Sequence, residues 1–339
     1  MNIKTKNINV FIAISPSHIL NFESIIKSEL HSSGSTILLN PGNFKYETKL
    51  WDNVINGNMD LTYTVSSGLG KIIFQLKKIS GYKKYLKKIK REFSLKSRCE
   101  FYYCNLDDIL TNHIFQIFKT NTKNTFYVVE DGILNYYHPD RVISTLSFKK
   151  KLCRLYNLRF EIFLSHPTNI SANIVNGQYV RIPEKAICSE KSIKLPFEQI
   201  LYKPFEDVVL IIGQDIMHNC EEGEAYYEKR LDLLFKRIKE QKKGKKVVYK
   251  PHRNGDISIA KKLLKQNFEN YELFLDNTPI EDCIPEIAPL EIYSFESSAI
   301  LNLKIALKDS PILFTVLPFN DKNKNLITLY KELGVNIFK

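Results

Sequence analysis

The stretch INVFIAISPSHILNFESIIKSEL, from Ile8 to Leu30, joins two hydrophobic patterns that have different periods. Its first part, Ile8–Ser15, is nearly continuous in apolar residues, which is typical of a strand buried inside a parallel sheet. The apolar residues that follow His18 have a helical spacing, and they are Ile19, Phe22, Ile25, Ile26 and Leu30. A buried strand that leads directly into an amphipathic helix predicts the first half of a βαβ unit.

The same alternation recurs along the whole chain. In the first half, strands are predicted at 35–40, 100–105 and 125–129, and helices at 67–79 and 108–120. A polar stretch with two prolines follows at about 184–206. Beyond it, strands are predicted at 208–213, 245–251, 271–275, 290–295 and 311–317, with helices at 224–241 and 297–307. This rhythm predicts an α/β protein of the GT-B plan, in which two Rossmann-like, doubly wound domains, at 1–190 and 191–339, face a central cleft.

Length and composition agree with two globular domains. A chain of 339 residues is too long for one typical core. No apolar stretch reaches the roughly 18 residues that a membrane-spanning helix needs. The first 15 residues carry lysines before a short apolar run, and they predict a first β-strand rather than a signal peptide. A cytoplasmic location is therefore expected.

The net charge of +12 predicts anionic partners. Residues 77–98 carry ten Lys or Arg against one Glu, and one helical face of this segment holds Tyr82, Leu86, Ile89 and Phe93. The segment is either a solvated surface helix or a basic amphipathic helix that rests on an anionic membrane, at the inner face of the cell membrane. No helix-turn-helix, zinc or RNA-recognition signature is present, so nucleic acid is not expected as a partner.

An acidic pair and a glycine end one of the predicted buried strands. Glu130, Asp131 and Gly132 directly follow the strand at 125–129. Glycine permits a tight turn with positive φ, which lets the carboxylates project into a cleft. A carboxylate there could accept the proton of an incoming hydroxyl group. Alternatively, Asp131 caps a helix or closes an Asx-turn.

Two further strand ends carry polar groups. The strand at 208–213 ends in Gly213 and is followed by Gln214 and Asp215. Asp215 is a candidate base, acceptor-positioning group or turn residue. Ser297 and Ser298 open a helix directly after another strand. The hydroxyls and free N–H groups of a helix N-terminus bind phosphate well, although serine is also a common N-cap.

A basic cluster begins at the end of the strand at 245–251 and continues beyond it. Lys250, Pro251, His252 and Arg253 are consecutive. Three cationic or potentially cationic side chains so close together suit an anion, and His252 is a candidate phosphate ligand or proton donor. Pro251 fixes the backbone just before the histidine.

The chain lacks a Walker loop, a Gly-x-Gly-x-x-Gly, a Gly-x-Ser-x-Gly and an Asp-x-Asp. We therefore expect group transfer from a nucleotide-bound donor, without a metal ion or other cofactor.

These strand-end groups resemble the motifs of the bacterial GT-B sialyltransferases, which include the lipooligosaccharide sialyltransferases of glycosyltransferase family 52 and the capsular polysialyltransferases. That signature is an acidic pair with glycine, then a His-Pro motif, then a Ser-Ser motif. Here Glu130-Asp131-Gly132, His252 and Ser297-Ser298 are similar to it, in the same order. The loop SPSH, from Ser15 and Pro16 to His18, is similar to the acceptor-side loop of the family. The segment IIGQD is similar to the strand that carries an aspartate upstream of the histidine. One departure is that Pro251-His252-Arg253 stands where the family has His-Pro.

The resemblance implies inverting transfer of sialic acid from CMP-sialic acid to a sugar hydroxyl, such as that of a galactose-terminated surface glycan. The acceptor would be an oligosaccharide or a lipid-linked glycan. Asp131 and Asp215 compete for the role of base, with Asp131 favoured and Glu130 structural. The groups implied to stabilise the departing CMP phosphate are His252, Lys250 or Arg253, and the two serines. A cytidine-diphosphate alditol phosphotransferase and a non-catalytic nucleotide or glycan binder remain as alternatives.

Overall fold

The structure, a computed structural model, describes residues 7–59, 61, 69–92, 98–139, 141–197, 200, 203–214, 223–242, 244–252, 255–276, 278–307, 310–319 and 324–338. The chain forms two compact units, Met1–Phe197 and Glu198–Lys339. Phe197 lies seven residues beyond position 190, where the sequence suggested the boundary. The short strand at Ser192–Lys194 hydrogen-bonds to the strand at Val175–Val180, which keeps it in the sheet of the first unit.

The first unit contains a parallel sheet with helices on both faces. Its strands are β1 Ile8–Ile12, β2 Ser35–Asn40, β3 Asn53–Asn56, β4 Cys99–Tyr103, β5 Thr125–Val129, β6 Val175–Val180 and β7 Ser192–Lys194. Its helices are α1 Pro16–Lys27, α2 Leu69–Glu92, α3 Ile109–Phe118 and α4 Ile143–Leu155. The strand order is β3-β2-β1-β4-β5-β6-β7.

Successive residues of a strand point to opposite faces of the sheet. The strands therefore contribute side chains to two separate hydrophobic cores, one on each face. Phe11 packs with α1 on one face, whereas Val10 and Ile12 pack with α2, α3 and α4 on the other.

Helix α2 contains much of the basic segment that the sequence singled out. Its apolar stripe is buried in the core of the first unit and includes Tyr82, Leu86 and Ile89. That stripe is therefore not available to a membrane while the unit is folded, which corrects the reading of α2 as an amphipathic helix lying on a bilayer. Phe93, the last residue of the predicted stripe, lies outside the described residues. The exposed face of α2 is lined by lysines: Lys77, Lys83, Lys84, Lys87, Lys88 and Lys90.

The second unit repeats the architecture with a smaller parallel sheet. Its strands are β8 Phe205–Ile212, β9 Lys246–Lys250, β10 Tyr271–Leu273, β11 Pro289–Ser294, β12 Leu313–Val316 and β13 Asn336–Ile337. Its helices are α5 Glu224–Gln241, α6 Ser258–Asn267, α7 Ile280–Ile287, α8 Ser298–Ala306 and α9 Lys324–Glu332. The strand order is β10-β9-β8-β11-β12-β13. None of the helices in the described part of the chain is long and apolar enough to cross a membrane.

Each sheet has a topological switch point, where successive strands of the chain begin to be added on the other side of the first strand. In the first sheet β1 lies between β2 and β4, and in the second β8 lies between β9 and β11. Open α/β sheets bind ligands outside the carboxyl ends of the strands at such switch points. Ligand-binding residues are therefore expected at the carboxyl ends of β1 and β4 in the first unit and of β8 and β11 in the second.

Candidate functional site

Asp131 follows β5 at the carboxyl edge of the first sheet. The next residue, Gly132, has φ of 56°, as the sequence led us to expect, and it begins a 3₁₀ turn at Gly132–Tyr136. Although Asp131 precedes this turn, its side chain makes no capping hydrogen bond there. Its carboxylate faces side chains from the ends of β1 and β4 instead. Turn capping, the alternative role for Asp131, is therefore not what the structure shows.

His18 supplies the first of these contacts. It belongs to the first turn of α1, which starts directly after β1 with Pro16 at its opening position, where proline is well tolerated. The Nε2 atom of His18 lies 3.2 Å from Oδ1 of Asp131. The Nδ1 atom accepts the backbone N–H of Ile14 at 3.4 Å. In a neutral imidazole this leaves the proton on Nε2, so that His18 donates a hydrogen bond to Asp131.

Asn105 supplies the second contact, from the loop after β4. Its Nδ2 donates to Oδ2 of Asp131 at 2.5 Å, and its Oδ1 accepts the backbone N–H of Asp108 at 3.3 Å. The second bond fixes which way the amide points. Each carboxylate oxygen of Asp131 thus accepts one side-chain hydrogen bond and retains a further lone pair. The Asp131 side chain is 29% exposed, so a hydroxyl group from solution can reach it.

The surroundings of Asp131 favour its ionised form. Burial alone would raise the pKa of this carboxyl group, but the electrostatic interaction with His18 and the hydrogen bonds from His18 and Asn105 outweigh it. The net result is that the pKa of Asp131 lies below its ordinary value. Asp131 is therefore a carboxylate at neutral pH, ready to accept a proton.

Glu130 has a different environment, although it is adjacent in sequence. Its side chain is fully buried and forms an ion pair with the Arg181 guanidinium. It also accepts the backbone N–H of Arg181 at 2.8 Å and the hydroxyl of Tyr136. Asn21 joins the cluster by accepting from Arg181 and by donating to the Glu130 carbonyl. These contacts fit the structural role expected for Glu130 and leave it no access to a substrate proton.

Ser15 and Pro16, predicted on the acceptor side, lie at the start of α1 and are half-buried. The Ser15 hydroxyl is 2.7 Å from that of Ser17 and does not cap the helix. Both residues belong to the same strand-to-helix turn as His18, next to Asp131.

In the second unit, hydrogen bonds join the carboxyl ends of three neighbouring strands. Gly213, after β8, donates its N–H to the carbonyl of Lys250 at the end of β9 at 2.8 Å. The side-chain amide of Gln214 donates to the carbonyl of Glu296, just after β11. Gly213 and Gln214 thus connect the end of β8 to the ends of β9 and β11 at the switch point of this sheet. Asp215, the competing candidate base, lies outside the described residues.

The basic cluster that was predicted to bind an anion, Lys250 to Arg253, is only partly exposed in the described residues. Lys250 is 6% exposed, its ammonium group donates to the carbonyl of Asp276, and it lies 5.5 Å from the centre of the Phe274 ring. Lys250 thus supports the end of β9 and does not offer an open charge. His252 is exposed and Pro251 half-buried. Arg253 lies outside the described residues.

The two serines differ in their surroundings. The Ser297 hydroxyl accepts the N–H of Ala299 at 3.3 Å and so caps α8, the alternative that the sequence left open. Its backbone is held by Tyr330, whose hydroxyl accepts from the Ser297 N–H and donates to its carbonyl. Ser298 is exposed at the first position of α8. Ser298 is therefore the serine whose side chain faces solvent.

Glu296 is a further acidic group at this switch point. One of its carboxylate oxygens accepts the N–H of Phe319 at 2.9 Å. Burial raises the pKa of Glu296, although backbone hydrogen bonds and the charge of Arg230 act in the opposite direction.

Asn105 and Glu296 were not among the residues proposed from the sequence, and His18 entered only as the end of the Ser15–His18 loop, without a chemical role of its own. The signal for Asn105 and Glu296 was their location, at the end of one predicted strand and directly after another. Among the residues that the structure describes, no three His, Cys, Asp or Glu side chains lie together as metal ligands would.

Comparison with known proteins gives three kinds of result. The model of glycosyltransferase family 52 matches residues 49–314, well over half of the chain. A search of curated protein sequences found no match. Similar solved structures include an α/β-galactoside α-2,3-sialyltransferase of Photobacterium phosphoreum, which is 13% identical with a TM-score of 0.53 over 98% of this chain and 99% of its own.

Two other structures are similar at the same level. The GT-B domain of a Photobacterium damselae sialyltransferase is 13% identical, with a TM-score of 0.50 over 98% of this chain and 100% of its own. The glycotransferase of kitacinnamycin is 10% identical, with a TM-score of 0.53 over 99% of this chain and 86% of its own. At such low identity these likenesses concern the fold. They confirm the GT-B prediction made from the alternating strands and helices.

Proposed function

Because the chain belongs to glycosyltransferase family 52, we propose that it transfers sialic acid from CMP-sialic acid to a sugar hydroxyl, with inversion and without a metal ion. The observation that carries the proposal is the ionised, partly exposed Asp131, held by His18 and Asn105 at the switch point of the first sheet. Membership of a glycosyltransferase family leaves the phosphotransferase and the non-catalytic binder without support.

In the proposed reaction, Asp131 is the general base. The acceptor hydroxyl attacks the anomeric carbon of the sialic acid, and its proton passes to the Asp131 carboxylate. The bond between that carbon and the phosphate oxygen breaks, and CMP leaves with the electron pair. A single displacement of this kind inverts the anomeric centre. Hydrogen bonds to both oxygens of Asp131 support this role, since they fix the direction in which the carboxylate faces.

The second unit is the proposed donor site. The start of α8 supports phosphate binding through the positive end of its dipole and through the exposed Ser298. Ser298 and His252 are exposed at the carboxyl edge of the same sheet. Negative charge that grows on the departing phosphate would be stabilised by these groups and by Arg253, with proton donation by His252 as the alternative role.

The acceptor in this proposal is an oligosaccharide or lipid-linked glycan of the bacterial surface, with a terminal galactose as the first choice. The net charge of +12 supports contact with an anionic surface, and a peripheral position at the inner face of the cell membrane is part of the proposal.

CMP should stabilise the protein against heat with no added metal. Ligand present at 100 times its dissociation constant adds about 2.7 kcal/mol to the free energy of unfolding. The test is a thermal-shift assay with CMP, CDP, UDP and GDP in the presence of a chelator. A preference for UDP or GDP, or an absolute need for Mn²⁺, would contradict the proposed donor.

Replacing His18 should shift the pH dependence of the reaction. Because His18 helps to lower the pKa of Asp131, His18→Ala should raise that pKa. The acid limb of the kcat profile should then move to higher pH, since the base is inactive when it is protonated. His18→Gln, whose amide can still donate a hydrogen bond, should restore part of the shift. An unchanged acid limb in a folded His18→Ala protein would show that His18 does not act on the base.

A further inference from the structure

Large apolar side chains are exposed on and around α4 of the first unit. Leu155, at the end of the helix, is 77% exposed, and Leu164 is 78% exposed. Val142, Ile143 and Phe148 are also exposed. Single exposed apolar residues need no explanation, but a group of them within one region marks an interaction surface.

Contacts around Arg141 bring the parts of this surface together. The Arg141 guanidinium donates to the carbonyl of Phe163, so the segment that holds Leu164 is attached to the start of α4. The same segment is attached near the end of β4, because Leu106 donates its N–H to the carbonyl of Pro167 at 2.8 Å. Val142 and Leu164 therefore lie toward the carboxyl edge of the first sheet, the edge that carries Asp131.

The orientation of α4 is fixed by its buried side. Leu146, Leu152 and Cys153 pack into the core of the unit. Phe148 and Leu155 are seven residues apart and so lie on one helical face, next to the buried Leu152 and away from Leu146 and Cys153. A rotation of α4 that buried Phe148 and Leu155 would expose side chains that now pack in the core. The two side chains therefore remain exposed in the folded unit.

Cations surround the apolar side chains. Helix α4 has no acidic residue, and Lys150, Lys151 and Arg154 are exposed on it. The lysine-lined helix α2 is adjacent, because both helices contact the loop after β4. Lys78 of α2 lies 3.7 Å from the Asp108 carboxylate, and Lys149 of α4 donates to the carbonyl of Asp107 at 3.0 Å.

We propose that the exposed face of α4, together with Leu164 and the lysines of α2, is a surface that docks on an anionic lipid bilayer. The apolar side chains would enter the headgroup region, while the Lys and Arg side chains pair with lipid phosphates. Charge complementarity argues for this occupant, and exposed leucines argue against a purely electrostatic partner such as nucleic acid. Docking in this way lays the α4 flank of the first unit on the bilayer, and the start of α4 lies toward the carboxyl edge, where a lipid-linked acceptor would meet Asp131.

The inference depends on the proposed function only for the identity of that acceptor. Binding is measured on the full chain without donor or acceptor, so a failure of docking and a failure of sialic acid transfer can be told apart.

The test is co-sedimentation with vesicles of phosphatidylcholine alone or mixed with phosphatidylglycerol. Binding should require phosphatidylglycerol and fall as salt rises. The double variant Lys150→Glu/Lys151→Glu should reduce partitioning by about 30-fold or more, at roughly fivefold for each cation lost. The double variant Leu155→Ser/Leu164→Ser should reduce it by about tenfold, through lost apolar burial.

Matched controls lie elsewhere on the protein. Leu275→Ser/Leu313→Ser removes two exposed leucines from the second unit, and Lys261→Glu/Lys265→Glu reverses two exposed charges on α6. These variants should bind like the wild type. The proposal is overturned if anionic vesicles fail to bind even at low salt, if the controls lose as much binding as the α4 variants, or if the serine variants bind normally while only charge reversal matters.

Discussion

Asp131→Asn should lower kcat by about 10²–10⁴, the usual contribution of a general base. Asparagine keeps the shape of the side chain, and it can still accept one of the two hydrogen bonds that His18 and Asn105 supply. It cannot accept the proton of the acceptor hydroxyl. CMP affinity should be unchanged, because the proposed nucleotide site lies in the second unit. The measurement is kcat together with CMP affinity.

Two parallel variants make this result decisive. Asp215→Asn tests the competing base in the second unit, and Glu130→Gln tests the buried neighbour. We expect Asp215→Asn to retain much more activity than Asp131→Asn. Near-normal kcat for Asp131→Asn together with a loss for Asp215→Asn would transfer the role of base to Asp215. Full activity in all three variants would mean that the base is another residue.

Arg181→Ala should destabilise the first unit by about 3–5 kcal/mol, the cost of leaving one member of a buried ion pair without its partner. Arg181 is 7% exposed and Glu130 is fully buried, so water cannot replace the guanidinium. The substitution also removes the stacking of Arg181 on the Phe197 ring, 4.3 Å away. The loss is large compared with the total stability of a typical domain, about 5–15 kcal/mol.

The chain provides its own probe for this experiment. Trp51 is the single tryptophan and is buried in the first unit, so its fluorescence in a urea titration reports on that unit. Lys119→Ala is the control, since Lys119 pairs with Glu161 at 2.8 Å and both side chains are partly exposed to water. An exposed pair contributes about 0–1 kcal/mol. Equal shifts in the two variants would show that the Glu130 ion pair is not important for the fold.

The architecture was accessible from sequence because it depends on periodicity. Buried strands such as Val208–Ile212 are continuous in apolar residues, and helices such as Glu224–Gln241 repeat them every three or four positions. The importance of Asp131 was also accessible, since it directly follows such a strand and precedes a glycine. These features are local, and the local pattern is enough to predict them.

The partners of Asp131 were not accessible in the same way. His18 lies 113 positions away from Asp131 in the sequence. The two residues meet because β1, β4 and β5 lie side by side in the sheet, so that the ends of these strands are close together. Strand order does not follow from the hydrophobic pattern. The same limit applies to Lys250, which looked like an open cation beside His252 until the structure showed its contact with the carbonyl of Asp276.

The basic helix α2 illustrates a different limit. Its sequence correctly predicts an apolar stripe and a charged face, but a stripe does not reveal what covers it. In the structure the sheet covers it, and Tyr82, for example, donates its hydroxyl to Asp108 at 2.8 Å in the core. The most exposed apolar side chains of this region lie on and around α4, where Phe148 and Leu155 are separated by lysines and were not singled out in the sequence.

The most direct test of the proposed function is mass spectrometry of a galactose-terminated acceptor after incubation with CMP-sialic acid and chelator. The wild-type protein should add the mass of one sialic acid residue and release CMP, and Asp131→Asn should form little product in the same time. The proposal would be contradicted if the acceptor remained unmodified with CMP-sialic acid but gained a sugar from a UDP- or GDP-linked donor.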